Sequence, residues 1–230
     1  MTGIRAPLPL VVIRPQPGND ATCAAVRERG AQAAGFPLFE IVPVAWHVPD
    51  GPFQAILAGS ANVFRHAGAN LRALHGTPVI AVGETTASAA RDAGFTVSRV
   101  GEGGLQPVVA TLPPGKYLRI AGEDRVALNL PAAVSVETVV AYAARKCPFP
   151  EALVAVLRSG AVVLLHSGEA ARHFAAQCET LGVAKDRIGL ACLAPRIATL
   201  AGDGWRCVGT SPARTDAMLL ELGLRMCQTV

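Results

Sequence analysis

The chain has 230 residues, 51% hydrophobic and only 5% aromatic, with a formal net charge of +4. That length suits two domains of about 100 residues, each able to bury its own core. The scattered arginines exclude a nucleic-acid footprint and suit an anionic small molecule, while no apolar run reaches the ~18 to 20 residues of a membrane helix.

In chain order, LPLVVI is interrupted by Pro9 and followed at once by Arg14, so Leu10 to Ile13 reads as a buried strand rather than a signal peptide. Asn19 or Asp20 can cap a helix running to about Ala34, stopped by Gly35. Phe36 to Val44 is extended and carries two prolines, which places it at an edge or in a linker. Strand Ala55 to Ala58, a helix from Ser60, strand Pro78 to Val82, helix Glu84 to Ala93, strand Thr96 to Val100 and a helix-compatible stretch after GEGG follow. Next come strand Lys116 to Ile120, helix Asp124 to Ala133 and the extended segment Glu137 to Ala143. Strand Val162 to Leu165, helix Gly168 to Leu181, strand Ile188 to Cys192, helix Pro195 to Ala201, strand Trp205 to Val208 and a last helix from Thr215 complete the reading. Short apolar strands alternating with helices imply parallel sheets covered on both faces.

The pattern repeats. QAILAGSANVFRH at Gln54 to His66 returns as AVVLLHSGEAARH at Ala161 to His173, so that Ser60 recurs as Ser167, 107 residues on. Ile13 and Ile120 stand at the same offset, and Ala81 to Gly94 is answered in order by Ala191 to Gly204. Two similar doubly wound α/β domains arising by internal duplication are expected, with a cleft between them as the natural ligand site. In such sheets ligands bind beyond the carboxyl ends of the strands. The loops there are RPQPGN, GSAN, GETT, GEGG, AGEDR, HSGE, LAPRI and TSPART, which carry Ser, Thr, Gly, Asn and Arg but no nucleophile–base pair. Six cysteines without a CxxC or His/Cys spacing speak against a zinc site or redox dithiol and for a reducing cytosol.

These loops, in this order, resemble the uroporphyrinogen-III synthase family over nearly the whole chain. The matching pieces are VIRPQPGN, PLFEIVPV, ILAGSANVF, AVGETTASAARDAGF, RIAGEDR, VVAY, LLHSGEAARHF, LAPRIATLAGDGW and TSPART. The chain departs from the family pattern at Gly59-Ser60, where Thr-Ser is usual, and at Ala194-Pro195-Arg196-Ile197, where Gly-Pro-Thr-Thr is typical. The resemblance implies closure of hydroxymethylbilane, a linear tetrapyrrole with eight carboxylates, to uroporphyrinogen III, with loss of water and inversion of the last ring through an azafulvene cation and a spiro intermediate. It implies no metal and no organic cofactor, a small-molecule substrate without nucleic-acid or membrane partners, a monomer, and a cytoplasmic location.

It further implies that Pro37 to Ala45 and Glu137 to Arg145 pair as a two-stranded linker. Domain one is then residues 1–36 with 146–230, domain two is 46–136, and the linker strands are 37–45 and 137–145. Tyr142 is the expected hydroxyl donor to the departing oxygen, since a phenol with a reference pKa near ~10 stays protonated. Expected substrate contacts are Arg14, Ser60, Ala61, Asn62, Gly83, Thr85, Thr86, Gly122, Arg125, Ser167, Gly168, Ala194, Pro195 and Arg196, chiefly through helix N-terminal N–H groups. Read without the resemblance, Ser60 and Ser167 are helix N-caps worth ~1 kcal/mol each. Thr85 and Thr86 start a helix, Arg14 ends a strand, His66 and His173 are solvated, and Tyr142 packs its ring and bonds its hydroxyl to backbone. The competing function is a non-catalytic two-lobed binding protein for an anionic metabolite. A nucleotide-dependent enzyme lacks both GxGxxG after the first strand and GxxxxGK[ST].

Overall fold

Runs that are apolar at every position, such as AVVLL in β9 (Ala161–Leu165) and LVV in β1 (Leu10–Val12), are buried on both faces, as central parallel strands must be. The computed structural model describes residues 7–229. The first six residues of the expected domain one, and residue 230, lie outside the described residues.

The chain divides into two units. Unit one is the chain up to Glu40 together with the chain from Lys146 onward, and unit two is Ile41–Arg145. Unit one holds β1, α1 (Gly18–Glu28), β2 (Ala33–Gly35), α5 (Glu151–Ser159), β9, α6 (Gly168–Thr180), β10 (Ile188–Cys192), α7 (Pro195–Ala201), β11 (Cys207–Thr210) and α8 (Asp216–Thr229). Its five-stranded sheet runs β11-β10-β9-β1-β2, every pair parallel. Leu10, Val12, Val162, Leu164 and Ala191 form one core there with residues of α1 and α8.

Unit two is built from β4 (Ile56–Ala58), α2 (Asn62–His66), β5 (Val79–Val82), α3 (Glu84–Asp92), β6 (Val97–Gly101), α4 (Leu105–Val109), β7 (Gly115–Gly122) and β8 (Val134–Lys146), with β3 (Phe39–Pro43) at the sheet edge. The order is β3-β8-β7-β4-β5-β6, parallel from β8 to β6. Strand β3 is the exception: Val44 N–H bonds the Ala141 carbonyl and Cys147 N–H bonds the Leu38 carbonyl, an antiparallel progression. Period-two alternation along β7 gives Leu118 and Ile120 to one core and Tyr117 to the other.

Strand by strand, β11-β10-β9-β1-β2 matches β6-β5-β4-β7-β8. The repeats read from the sequence fall on corresponding strands, since Ser60 follows β4 as Ser167 follows β9. The chain enters the two sheets at different strands, however, so the units are circular permutations of one another.

Several expected elements differ. The first helix ends at Glu28, because Gly30 takes a φ of 73° and the chain turns back to lay Ala33–Gly35 beside β1. Pro17, not Asn19 or Asp20, precedes that helix, and Asn19 is instead buried, donating to the carbonyls of Val12 and Arg14. The helix after Ser60 spans only Asn62–His66 and continues as 3₁₀ turns over Gly68–Leu74. Residues 124–133 form no helix. Pro131 lies in that stretch, the Gln106 side chain pairs with the Asn129 backbone, and Arg119 binds the Val126 carbonyl, so tertiary bonds replace helical ones. Helix α5, bounded by Pro150 and Gly160, was not anticipated, and the last strand starts at Cys207 rather than Trp205. His173 is not solvated: it is 9% exposed, its Nε2 is 2.8 Å from the Cys147 carbonyl, and Phe39 meets its ring edge-on.

Candidate functional site

In unit two the chain lays β4, β5 and β6 outward in one direction and then returns to place β7 and β8 on the other side of β4. The loops leaving β4 and β7 therefore diverge, and the gap between them is the crevice where open parallel sheets take ligands. A cavity of about 210 Å³ lies there, lined by Gly59, Ser60, Leu105, Arg119, Gly122, Asp124, Arg125 and Tyr142 among others. The structure thus brings the expected contacts Ser60, Gly122 and Arg125 together with the expected donor Tyr142.

Tyr142 is aimed by a bulge. Along the β7–β8 pair, Ala121 is opposite Val140 but Gly122 is opposite Tyr142, so Ala141 is skipped. Such an extra residue bends a strand and redirects the side chain beside it. The ring then lies so close to Gly122 that a Cβ built there would meet Cε2 at 2.6 Å, so any side chain at this position displaces the ring. The chain has two tyrosines, which differ in what their hydroxyls do. Tyr117 donates within 2.9 Å of Gln54 Oε1 and 3.0 Å of the Pro113 carbonyl. Among the described residues the Tyr142 hydroxyl bonds no protein group, and it is free to donate to a ligand.

Arg119, which sequence reasoning missed, sits in the middle of β7 and is only 8% exposed. Its Nη1 donates to the Val126 carbonyl at 2.9 Å, whereas Nε is buried with no partner among the described residues. Burial, with Arg125 adding to it, pushes its pKa below the usual arginine value, against the opposing influence of Tyr142. A charge in an apolar strand, YLRIAG, was the available signal. Arg119 and Arg125 also line an adjoining groove of about 520 Å³ with Val126, Leu128 and Leu130.

The other expected residues of unit two lie apart from this cavity. Asn62 gives its N–H to Ser60 Oγ at 3.2 Å, and Ala61 is buried. Gly83, with φ 76°, starts α3, Thr86 is 4% exposed, and Thr85 faces a different groove beside Phe64 and Ser88.

Unit one repeats the arrangement at β1 and β9, where its strand order also reverses. Arg14, just past β1, is ion-paired with Asp216 and lies 3.5 Å from Thr22 Oγ1. His166, just past β9, is 3.8 Å from Asp216; burial first and Arg14 second push its pKa down to about 4, so it is neutral near pH 7. Its buried Nδ1 has no hydrogen-bond partner among the described residues. Ser167 caps α6 through the Ala170 N–H at 3.1 Å, and Gly168 packs so tightly on Leu200 that a Cβ would meet it at 2.4 Å. Ala194 precedes α7 without a side-chain cap, Pro195 opens that helix, and Arg196 is exposed. His166 and Asp216 were not anticipated.

Among the described residues no cluster of His, Cys, Asp and Glu has metal-binding geometry, and no helix is long and apolar enough to cross a membrane. The six cysteines are free thiols, and burial raises the pKa of Cys178 and Cys192 to about 12.

A uroporphyrinogen-III synthetase from Helicobacter pylori is similar at 13% sequence identity and a TM-score of 0.60, over 95% of this chain and 99% of that one. The likeness shows the same two-sheet α/β fold. Uroporphyrinogen III synthase from Thermus thermophilus is 17% identical with a TM-score of 0.40, over 96% of this chain and 99% of that one. No curated protein sequence matches. The family profile described as Uroporphyrinogen-III synthase HemD matches residues 20–221, and the chain belongs to that family.

Proposed function

We propose that this chain closes hydroxymethylbilane to uroporphyrinogen III, as a dehydrating, cyclising lyase of tetrapyrrole biosynthesis. The observation that carries the reading at the level of the site is the uncommitted Tyr142 hydroxyl beside Gly122, in a switch-point cavity that also holds Arg119 and Arg125.

The reaction begins when the terminal hydroxymethyl carbon loses its oxygen as water. Tyr142 donates the proton to that oxygen, and the electron pair of the adjacent pyrrole nitrogen fills the vacated carbon to leave an azafulvene cation. The substituted carbon of the last pyrrole attacks that centre, giving a spiro intermediate; it opens and recloses through the free α-carbon of that ring, which inverts it, and the proton lost from that carbon as the ring regains aromaticity neutralises the phenolate left on Tyr142. General-acid assistance of this kind is worth roughly 10²–10⁴-fold. The larger task is to hold a flexible chain in the one conformation that allows the spiro closure. Ser60 and Asn62 after β4, Gly83, Thr85 and Thr86 at α3, and Gly122 and Arg125 after β7 serve that purpose in unit two. Arg14, Ser167, Gly168 and Ala194 to Arg196 serve it in unit one, chiefly with N–H groups that donate to carboxylates. The protein acts as a monomer in the cytoplasm on this reading.

Purified protein mixed with freshly made hydroxymethylbilane, followed by oxidation and separation of the porphyrin isomers, tests it. Isomer III in excess over the uninverted isomer is expected. A protein that binds the tetrapyrrole but leaves the isomer ratio of a protein-free control would be a binding protein instead.

A further inference from the structure

We propose that Arg119 is the anchor for one carboxylate arm of the tetrapyrrole, taken by the Nε and Nη2 edge of its guanidinium as a bidentate pair. The inference rests on the function proposed above and assigns a residue within that site. A guanidinium offers two forks, and here one terminal nitrogen, Nη1, is tied to the Val126 carbonyl. That bond fixes the rotation of the group. The edge formed by Nε and Nη2 is left with no acceptor among the described residues, and Nε is buried. A carboxylate matches that edge in spacing and in charge.

The surroundings agree. Arg119 is more than nine-tenths buried, and among the described residues no carboxylate pairs with its charge. Asp124 lines the same cavity without pairing with it, and Arg125 adds a second cation. The cavity of about 210 Å³ is smaller than the ~300 Å³ at which sites for drug-sized ligands begin, so it takes a side arm rather than a macrocycle. In the adjoining groove Val126 and Leu130 are 80% and 43% exposed, which gives the methylenes of an acetate or propionate arm an apolar wall.

The test measures KM and kcat for ring closure, affinity for uroporphyrin III by fluorescence quenching, and thermal melting, in wild type, Arg119→Met and Arg119→Lys. Methionine keeps much of the length and removes the charge; lysine keeps the charge and removes the fork. Expected is a rise of roughly ten- to a hundredfold in KM and Kd for Arg119→Met, the loss of one charge-assisted pair. The lysine variant should fall between, the effect should lie on KM more than on kcat, and the methionine variant should melt no lower than wild type. Unchanged affinity in folded Arg119→Met overturns the proposal. So does an affinity loss that tracks a melting loss and is fully restored by lysine, because then the charge holds the fold. Should the methionine variant not fold, wild-type affinity in Arg119→Lys overturns it. If wild type makes uroporphyrinogen III and the variants match it, only the arginine is wrong; if wild type makes none, the function is wrong as well.

Discussion

Gly122→Ala is the sharpest perturbation the site offers, because its effect runs through one identified contact. The added Cβ would lie 2.6 Å from Cε2, 3.0 Å from Cζ and 3.2 Å from Cδ2 of Tyr142. Carbon atoms rest at about 3.5–4.0 Å, so the ring must retreat by about 1 Å. Gly122 has no φ in the left-handed region, and backbone strain adds nothing. Overpacking costs about 1–3 kcal/mol, and the low end is expected because Tyr142 is only half-buried and can swing outward. Turnover is more sensitive than stability, since a displacement of about 1 Å at the reacting centre can cost ~10²-fold. Steady-state kcat and thermal melting would be measured for Gly122→Ala, Tyr142→Ala and the double variant. If the cost passes through the ring, the stability loss of Gly122→Ala disappears in the Tyr142→Ala background. Wild-type turnover in Gly122→Ala, or strictly additive stability losses, would refute the reasoning.

Tyr142→Phe should lower kcat roughly ten- to a hundredfold, at or below the low end of general-acid assistance because positioning carries most of the catalysis, and should not move the melting temperature, because among the described residues the lost hydroxyl bonds no protein group; a full-rate variant removes it from the chemistry. His166 holds a pKa of about 4 when folded against ~6.5 when unfolded, so the unfolded chain binds the extra proton between those values. Stability is therefore complete above about pH 6.5 and falls by up to ~1.4 kcal/mol per pH unit toward pH 4. Denaturant titrations of His166→Asn should show a flatter acid limb, and an identical slope would contradict this. Asn19→Ala leaves the Val12 and Arg14 carbonyls without their buried donor and should cost about 2–3 kcal/mol by chemical denaturation. Ser167→Ala removes the cap bond to Ala170 and should cost about 1 kcal/mol, whereas no change would mean another acceptor replaces it.

What the sequence discloses of this fold is what local chemistry decides. Val162 to Leu165 and Ile56 to Ala58 can be recognised as central strands because burial on both faces leaves an unbroken apolar run. Ala33–Gly35 has neither β-branched nor aromatic side chains, and only its pairing with β1 makes it a strand. Val126 and Leu130 have helical spacing, but their segment is shaped by Gln106 and Arg119, which contact cannot be read from residues 124–133 themselves. Helix α5 was legible, with Leu153 and Leu157 one turn apart between Pro150 and Gly160. The loop positions came from the order of strands, and Tyr142 from the family resemblance; its aim came from neither, because it depends on one skipped residue in the β7–β8 register. Arg119 and His166 stood in view as polar residues in or at the end of apolar strands, yet that Arg119 Nε and His166 Nδ1 are buried without a partner among the described residues is a fact of packing.

The permuted order of the two units also sets a timetable for synthesis. Strands β4 to β8 are translated in one stretch, so unit two has every strand it needs from its own segment before the rest of unit one exists. Strand β1 is made first yet pairs on one side with Val162 to Leu164, which emerge much later. Until then Leu10 to Val12, fully buried in the finished protein, have only β2 beside them. Nascent domains generally fold as units while the ribosome continues. A chain stalled once β8 has cleared the ribosome should therefore carry one protease-resistant unit and one half-paired strand–helix–strand segment from β1 to β2, which makes that segment a candidate for chaperone protection.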